Sequence, residues 1–394
     1  MFKKIMSCLA AAALALTCTA CSGGSNSGSA EGGAASGAAG IAKESIKVGV
    51  IHIGDPADGS GYSFTHDTGI QGMQKNLGLS DDQIIRKINV SDTDTAASKS
   101  AMEACIAEGC NIIFATSYGY MDTTEALAAE YPNVIFSHAT GYKSNDKNFN
   151  NYFGRIYQAR FLAGIAAGLK TASNKIGYVA AYGTELAETC SGINAFALGV
   201  QSVNPDAKVY VKTLNSWFDP ANETAYAEAL IADGCDVIAQ HCDTANPQVA
   251  AENNGVFGCG YNSDMTAQAP KAHLTAPIFN WDVYYTAAVQ AVIDGKWNDF
   301  GNYYEGLNKG FVDVSPISAN CAENTQKYIN AAKALMASGE WDVFTNVAIS
   351  FDADGNIVKT DRQLTDNQGN AIPEVTDAII KGSMNYFVQG VELS

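Results

Sequence analysis

Aromatic side chains and hydrogen-bonding groups recur just after the predicted strands of this 394-residue sequence. Tyr62, Phe64, Trp217 and Trp281 could stack on a flat heterocyclic ring. Carboxylates such as that of Asp264 could accept hydrogen bonds from hydroxyl or amino groups, and a buried acceptor that lacks its donor is costly. These residue types favour the binding of a small neutral ring that carries hydrogen-bond donors.

Sequence signatures of phosphate binding and of catalysis are missing. Neither GxxxxGK[ST] nor GxGxxG occurs, and the basic residue nearest to the strand ends is Arg155, so a phosphorylated ligand is disfavoured. HExxH and GxSxG do not occur either, since the segment ATSYG around Ser117 has Ala115 where the first glycine belongs. We expect no catalytic residue. A serine, a histidine and an aspartate brought together from separate loops remain an alternative.

The cysteines give no support to a metal site. Seven of them follow residue 45, and neither a CxxC pair nor a His/Cys cluster at zinc spacing occurs. We expect no metal and no cofactor. Cys105 and Cys235 lie in apolar patterns, which favours burial as small hydrophobic side chains. Whether any of the seven pair as disulfides stays open.

The composition is that of a folded, acidic protein. Hydrophobic residues make up 47% of the chain, and 41 acidic residues against 24 basic ones give a net charge of −17. Such a surface would repel a polyanion, so nucleic acid is not an expected partner.

The amino terminus has the pattern of an export signal. Lys3 and Lys4 precede an apolar run at 9–16, which is too short to span a bilayer, so residues 1–20 are predicted to be a signal peptide. The segment LTCTACSGG resembles a bacterial lipobox, which would make Cys21 the lipidation site; ordinary cleavage near Ala20 is the alternative. Two acyl chains would anchor the protein at the outer face of the cell membrane. The Gly, Ser and Ala that follow predict a flexible tether within 21–45.

Strands and helices alternate along the rest of the chain. This order predicts parallel sheets covered on both faces by helices. Two series of similar length predict two doubly wound parallel-sheet lobes rather than one very wide sheet, and the late segments return to the first lobe and cross again. The predicted strands lie at 46–53, 84–90, 111–117 and 133–139 in the first series and at 175–182, 207–215, 236–240 and 255–261 in the second, with helices between them, including 65–77 and 157–169.

Several of these residues also have purely structural interpretations. Asp219 followed by Pro220 is typical of a helix N-cap, and aromatic residues near strand ends often fill the seam between sheet and helices. His52 lies in the first predicted strand and is interpreted as structural, whereas both roles are open for His66. Asp354 and Gly355 predict a tight hairpin turn near the end of the chain.

Segments of the sequence resemble the basic membrane protein (BMP, PnrA-like) family of lipoproteins. The similarity covers about 46–297 and is carried by ATSYGYMD, INAFALGVQSVNP, NSWFDPANE, GCDVIAQHCD, GYNSDM and the pair Asn280 and Trp281. Members of this family are substrate-binding components of ATP-driven importers. The resemblance implies an α/β, type I periplasmic-binding-protein fold with three hinge crossings, and a purine nucleoside or purine base as ligand.

The resemblance also implies positions for the ligand. It places the base between Tyr62, where the branch more often has Trp, and Trp217, while Asp264 in YNSDM matches an acidic position that bonds the ribose or the base. From residues and resemblance together we expect a ligand site that includes the following side chains: Asp58, Tyr62, Phe64, His66, Tyr118, Glu188, Trp217, Phe218, Gln240, Asp243, Asp264 and Trp281.

The expected protein is a monomeric, non-catalytic receptor that delivers its ligand to an ABC permease and its ATPase. A receptor for a sugar or another small polar metabolite, and a surface nucleosidase or hydrolase, are the alternatives. The amino-terminal lobe is predicted to comprise 46–153 plus 275–312, and the carboxyl-terminal lobe 154–274 plus 313–394.

Overall fold

A computed structural model describes residues 40–352 and 354–394 of the chain. Its strands are β1 (Val48–Ile51), β2 (Ile84–Lys87), β3 (Ile112–Ala115), β4 (Ile135–Ala139), β5 (Phe149–Gly154), β6 (Lys175–Ala180), β7 (Lys208–Thr213), β8 (Val237–His241), β9 (Phe257–Cys259), β10 (His273–Thr275), β11 (Pro277–Phe279), β12 (Tyr303–Glu305), β13 (Val312–Val314), β14 (Val347–Phe351), β15 (Ile357–Asp361) and β16 (Val391–Leu393). Its helices are α1 (Gly61–Leu77), α2 (Thr95–Ala107), α3 (Met121–Glu130), α4 (Ile156–Lys170), α5 (Ala187–Val203), α6 (Pro220–Ala232), α7 (Asn246–Asn253), α8 (Trp281–Ile293), α9 (Trp297–Phe300), α10 (Thr325–Ala337) and α11 (Asp377–Gly382).

Twelve strands form two six-stranded sheets, in the orders β12-β5-β4-β3-β1-β2 and β10-β9-β8-β6-β7-β16. Neighbouring strands are parallel throughout both sheets. The predicted two-lobed α/β fold is therefore confirmed. β1 and β3 are buried at every position, as expected for strands covered by helices on both faces.

The chain crosses between the two sheets three times, as the resemblance implies. The first crossing is a single residue, Arg155, between β5 and α4; the second joins β10 to β12, and the third joins β12 to β16. The exact limits of the two lobes stay a prediction.

The long helices α4 and α5 pack against each other without intervening side chains. A Cβ atom on Gly164 would lie 2.1 Å from the carbonyl oxygen of Phe196, and one on Gly199 would lie 2.0 Å from that of Phe161. Any side chain at these two glycines would push the helices apart. The second lobe is consequently built on a tightly joined helix pair.

Four sheet strands and one helix boundary differ from the prediction. β5, β10, β12 and β16 are not among the predicted strands, because each lies outside the regular strand and helix alternation and three of them have only three residues. α1 begins at Gly61 rather than near residue 65, which places Tyr62 and Phe64 in its first turn. The Asp354–Gly355 turn is confirmed, with Gly355 at φ 73° between the antiparallel strands β14 and β15.

The predicted signal peptide and Cys21 lie outside the described residues, as does the tether up to residue 39. Residues 40–45 of the predicted tether are described, and they include a short 3-10 helix at Lys43–Ser45. Every helix in the described part of the chain is too short or too polar to cross a bilayer.

Candidate functional site

Loops from the carboxyl ends of the two sheets come together between the lobes. Gly61, which opens α1 of the first lobe, lies so close to Asp243 that a Cβ atom on it would be 2.6 Å from the carbonyl oxygen of Asp243. In open α/β sheets this edge is where ligands bind. We use the name cleft cluster for Tyr62, Glu188, Trp217, Asp243 and Tyr261.

Tyr62 connects the first lobe to the second within this cluster. Burial raises its pKa well above the ordinary value, and Tyr152 of its own lobe and Tyr261, Asp243 and Glu188 of the other raise it further through their charges. The Tyr62 hydroxyl is buried and has no hydrogen-bond partner within residues 40–352 and 354–394. A buried hydroxyl without a partner is costly, so this group is available to a ligand.

An aromatic stack supports Tyr62 from behind. The rings of Tyr62 and His66 form an edge-to-face contact with 4.4 Å between their centroids, and His66 stacks on Trp281 with 4.0 Å between ring centroids. His66 Nδ1 lies 2.5 Å from the Tyr285 hydroxyl. Because His66 and Trp281 are buried in the core of the first lobe, they position Tyr62 rather than line an open surface.

Trp217 forms part of the wall of the second lobe. Its ring lies 5.5 Å from that of Tyr182 and 5.8 Å from that of His241, measured between centroids. The carbonyl oxygen of Trp217 accepts a hydrogen bond of 2.9 Å from the backbone N–H of Asp243. Asp219 caps α6 through the N–H of Asn222 at 3.2 Å, which confirms the predicted cap and fixes the end of this loop.

A buried cation lies beneath the second wall. The Arg160 guanidinium carbon lies 3.9 Å from the ring centroid of Tyr261, and Arg160 Nη1 donates to the carbonyl oxygen of Gln240 at 2.6 Å and to the hydroxyl of Tyr178 at 2.9 Å. Arg160 is only 1% exposed. Its Nε and Nη2 atoms find no hydrogen-bond partner in the described part of the chain. The cation–π contact and the two hydrogen bonds hold Tyr261 and the end of β8 in place.

His241 links this layer to Glu188. Its Nε2 atom lies 3.1 Å from Glu188 Oε1. Burial and the neighbouring Arg160 charge lower the pKa of His241 to about 4, so the imidazole is neutral at pH 7. A neutral His241 that carries its proton on Nε2 donates a hydrogen bond to Glu188 Oε1, and Glu188 Oε2 accepts no hydrogen bond from the described residues, which leaves it to a ligand.

Asp243 is held on a loop built from buried polar contacts. Gln240 Nε2 donates to the carbonyl oxygens of Cys242 and Thr244, at 3.0 and 2.6 Å, and the hydroxyl of Thr244 donates to the fully buried Glu223. Burial, and then the charges of Glu223 and Glu188, raise the pKa of Asp243 to about 8. The Asp243 carboxyl is therefore protonated at pH 7 and can both donate and accept a hydrogen bond.

We expect the raised pKa of Asp243 to make the protein less stable as the pH rises from 6.5 to 8. An unfolded aspartate titrates near 3.9, so between about pH 4 and pH 8 only the folded state carries this proton. The free energy of unfolding of the protein therefore falls as the pH rises through this range. His241 acts oppositely, but only between about 4 and 6.5. Urea denaturation at pH 6.5, 7.5 and 8.5 should show the fall in the parent and a flatter profile in Asp243→Asn.

The control for this measurement is Asp264→Asn, since Asp264 is an exposed carboxylate whose Oδ1 accepts from the backbone N–H of Thr266 at 2.9 Å. This variant should keep the slope of the parent. Identical slopes in all three proteins would contradict the assignment to Asp243.

The structure brings some of the predicted site residues together and leaves others apart. Tyr62, Glu188, Trp217 and Asp243 meet between the lobes, and His66, Trp281 and Gln240 are buried behind them. The remaining predicted residues are not part of this group: Asp58, which is exposed in a 3-10 helix; Phe64, which is partly buried in α1; Tyr118 and Phe218, which are 52% and 67% exposed; and Asp264, which closes its own turn.

Sequence reasoning missed two parts of the site. From the sequence, Arg155 is the basic residue nearest to the strand ends. In the structure its guanidinium instead pairs with both carboxylate oxygens of Asp377, each at 2.6 Å, at the first crossing. Arg160 and Tyr261 were not among the predicted site residues. A lone arginine in the apolar run IYQARFLAGIAAG is the signal that could have found Arg160, because a helix buried on all sides keeps a charge only with partners.

The arrangement suits binding of a flat, uncharged, polar molecule. Aromatic faces, a free tyrosine hydroxyl, one carboxylate and one protonated carboxyl converge, and the charge of Arg160 is shielded beneath Tyr261. No cluster of His, Cys, Asp and Glu that could hold a metal ion occurs among residues 40–352 and 354–394.

Comparisons with known proteins identify the family. Residues 46–343 match the family Bmp, described as ABC transporter substrate-binding protein PnrA-like. A purine-binding protein of Brucella abortus (strain 2308) is 35% identical over 89% of this chain and 94% of its own length. A protein of Haloferax volcanii, named as a candidate ABC transporter glucose-binding protein, is 32% identical over 79% of this chain and 77% of its own.

A solved structure supports the fold. An ABC transporter solute-binding protein from Conexibacter woesei superimposes with a TM-score of 0.63 at 18% identity, over 75% of this chain and 98% of that one. Together with the two parallel-sheet lobes and the three crossings, these matches confirm the resemblance found in the sequence. The chain belongs to the PnrA-like Bmp family of ABC transporter substrate-binding proteins.

Proposed function

We propose that this substrate-binding protein captures a purine base or purine nucleoside between its lobes and delivers it unchanged to a permease. The observation that carries the proposal is the cleft cluster: the buried Tyr62 hydroxyl has no hydrogen-bond partner among the described residues, and the charges of Tyr261, Asp243 and Glu188 in the other lobe act on it. The purine-binding relative from Brucella abortus supports the same ligand class.

The chemistry of the cluster fits the edge of a purine. A purine presents ring nitrogens that accept hydrogen bonds beside N–H groups that donate them. The protonated Asp243 carboxyl can donate a hydrogen bond to a ring nitrogen and accept one from an N–H group. The free oxygen of Glu188 can accept from an amino or ring N–H group. The face of the ring would stack on Trp217.

Calorimetric titration tests this proposal. The purified protein would be titrated with adenine, adenosine, guanosine, inosine, ribose and glucose under identical conditions. We expect heat of binding with at least one purine and none with ribose or glucose alone. Saturable binding of glucose or ribose, with no purine bound, would contradict the proposal.

A sugar receptor is the second candidate, and the Haloferax volcanii relative favours it. Trp217 could pack on the apolar face of a sugar ring, and the carboxyl groups could bind its hydroxyls. The same titration separates the two, because ribose and glucose carry hydroxyls without a heterocyclic base.

We further propose that the protein performs no reaction on its ligand. Burial and the Arg160 charge lower the pKa of His241 to about 4, which makes its imidazole a weak general base at neutral pH. Chromatography of the titrated samples should recover the nucleoside intact. Release of free base and ribose would identify a nucleosidase instead.

Export and lipid attachment at Cys21 are part of the proposal. They rest on the two lysines, the apolar run and the Cys21 motif in residues 1–21. A membrane-held monomer could then reach its permease and ATPase partners while tethered. Radiolabelled palmitate should enter the parent and not Cys21→Ala, and the variant should be released from membranes.

A further inference from the structure

Helix α2 ends in a turn that forces two particular side chains together. The backbone N–H of Cys110 donates to the carbonyl oxygen of Cys105 at 3.0 Å, and that of Gly109 donates to Ile106 at 2.9 Å. Gly109 has φ 86°, in the left-handed region. These are the two hydrogen bonds of a Schellman motif, in which the side chains at the positions of Cys105 and Cys110 contact each other.

Both contacting side chains are cysteines here. Cys105 is 0% and Cys110 is 3% exposed, and both belong to the apolar cluster of the first lobe with Ile51 and Met102. Both are free thiols in the structure, and each is the largest influence on the pKa of the other, which is lowered at Cys105 and raised at Cys110. Gly49 on β1 gives Cys105 its space, since a Cβ atom there would be 3.1 Å from Cys105 Sγ.

The same turn recurs in the second lobe with different side chains. At the end of α6, Cys235 donates to Leu230 at 3.0 Å and Gly234 to Ile231 at 2.9 Å. There the two positions hold Leu230 and Cys235, which gives the apolar contact that usually accompanies this motif. Cys235 therefore occupies the position of Cys110 but has no thiol partner across its turn, which makes it a matched reference.

We propose that Cys105 and Cys110 form an intramolecular disulfide when the chain folds in oxidising surroundings. A thiolate of the pair attacks an external disulfide and releases one thiol; the second cysteine then attacks the mixed disulfide and releases the other. The two cysteines lose two electrons and two protons, and the external disulfide is reduced to two thiols. Because both sulfurs are buried in the folded protein, the exchange occurs before the turn packs.

The bond would lie far from the ligand site along the sheet. Cys110 lies two residues before β3, at the amino end of the strand, whereas the cleft cluster follows the carboxyl ends. Ligand affinity should therefore be the same with and without the bond. The proposal stands whether the ligand is a purine or a sugar.

Refolding and mass spectrometry test it. The full chain would be unfolded with reductant, refolded in mixtures of reduced and oxidised glutathione, alkylated under denaturing conditions and digested with trypsin. Cleavage after Lys99 and Lys143 gives one peptide that contains Cys105, Cys110 and no other cysteine. We expect this peptide to be unalkylated and about 2 Da lighter than its dithiol form.

A second digestion locates the bond. Cleavage after Glu108 separates the two cysteines, and the fragments should stay joined until reductant is added. Cys110→Ala should leave Cys105 alkylated, and Cys235→Ala should keep the bond. Two alkyl groups on the tryptic peptide in every glutathione mixture, or bonds from either cysteine to a different one, would overturn the proposal.

Discussion

Replacing Trp217 with alanine should weaken purine binding by about 5- to 150-fold, because stacking of a base on an aromatic side chain contributes about 1–3 kcal/mol. Trp217 is partly buried and its backbone carbonyl holds Asp243, so the loop itself should persist without the indole. Calorimetric titration of parent and variant with the same purine measures the change, and circular dichroism of the free variant checks that it is folded.

The neighbouring aromatic residue supplies the control. Phe218 follows directly in the sequence but is 67% exposed, so Phe218→Ala should bind the purine as the parent does. Trp217→Phe should retain part of the affinity, since a smaller ring still stacks. Equal losses for Trp217→Ala and Phe218→Ala would argue against a stacking role for Trp217.

Adding one methyl group at Gly61 should weaken ligand binding at least about 10-fold. A Cβ atom at this position would lie 2.6 Å from the carbonyl oxygen of Asp243, far inside van der Waals contact, so Gly61→Ala would hold the two lobes apart. A ligand gripped from both sides then loses its contacts with one of them. Titration of Gly61→Ala with the purine that binds the parent measures this loss.

Gly59→Ala separates the clash from backbone strain. Gly59 and Gly61 both have a left-handed φ, 74° and 82°, so alanine strains the backbone at each. Nothing lies within 4 Å of a Cβ atom on Gly59, whereas Gly61 faces the other lobe. Thermal unfolding of the free proteins should therefore change similarly, while affinity falls only for Gly61→Ala. Equal affinity in the two variants would mean that the contact between Gly61 and Asp243 is not needed for binding.

The alternation of strands and helices was predictable because the buried strands are short apolar runs separated by amphipathic or apolar helices. β1 and β3 are of this kind. β16 has only three residues at the edge of a sheet, and its position depends on pairing with β7, which a local pattern does not reveal. The start of α1 was missed for a related reason, because Gly59, Ser60 and Gly61 favour a turn.

The candidate site was predictable only where it depended on strand ends. Trp217 and Asp243 follow predicted strands, and parallel strands bring their carboxyl ends to one edge. Arg160 lies inside a helix, and its role arises from the approach of Tyr261, which follows a strand about 100 residues later in the chain. Such a contact between distant segments needs the three-dimensional fold. The pairing of Arg155 with Asp377 is of the same kind.

The single-residue crossing at Arg155 also constrains how the molecule can open. Gly154 ends a strand of one sheet and Ile156 begins a helix packed on the other, so this connection can swivel but cannot lengthen. Arg155 therefore acts as a fixed hinge point between the two lobes. When the lobes open, the displacement of one relative to the other must grow with distance from this hinge point. Two spectroscopic labels on the outer edges of the two lobes would therefore separate widely, whereas a pair flanking Arg155 would barely move.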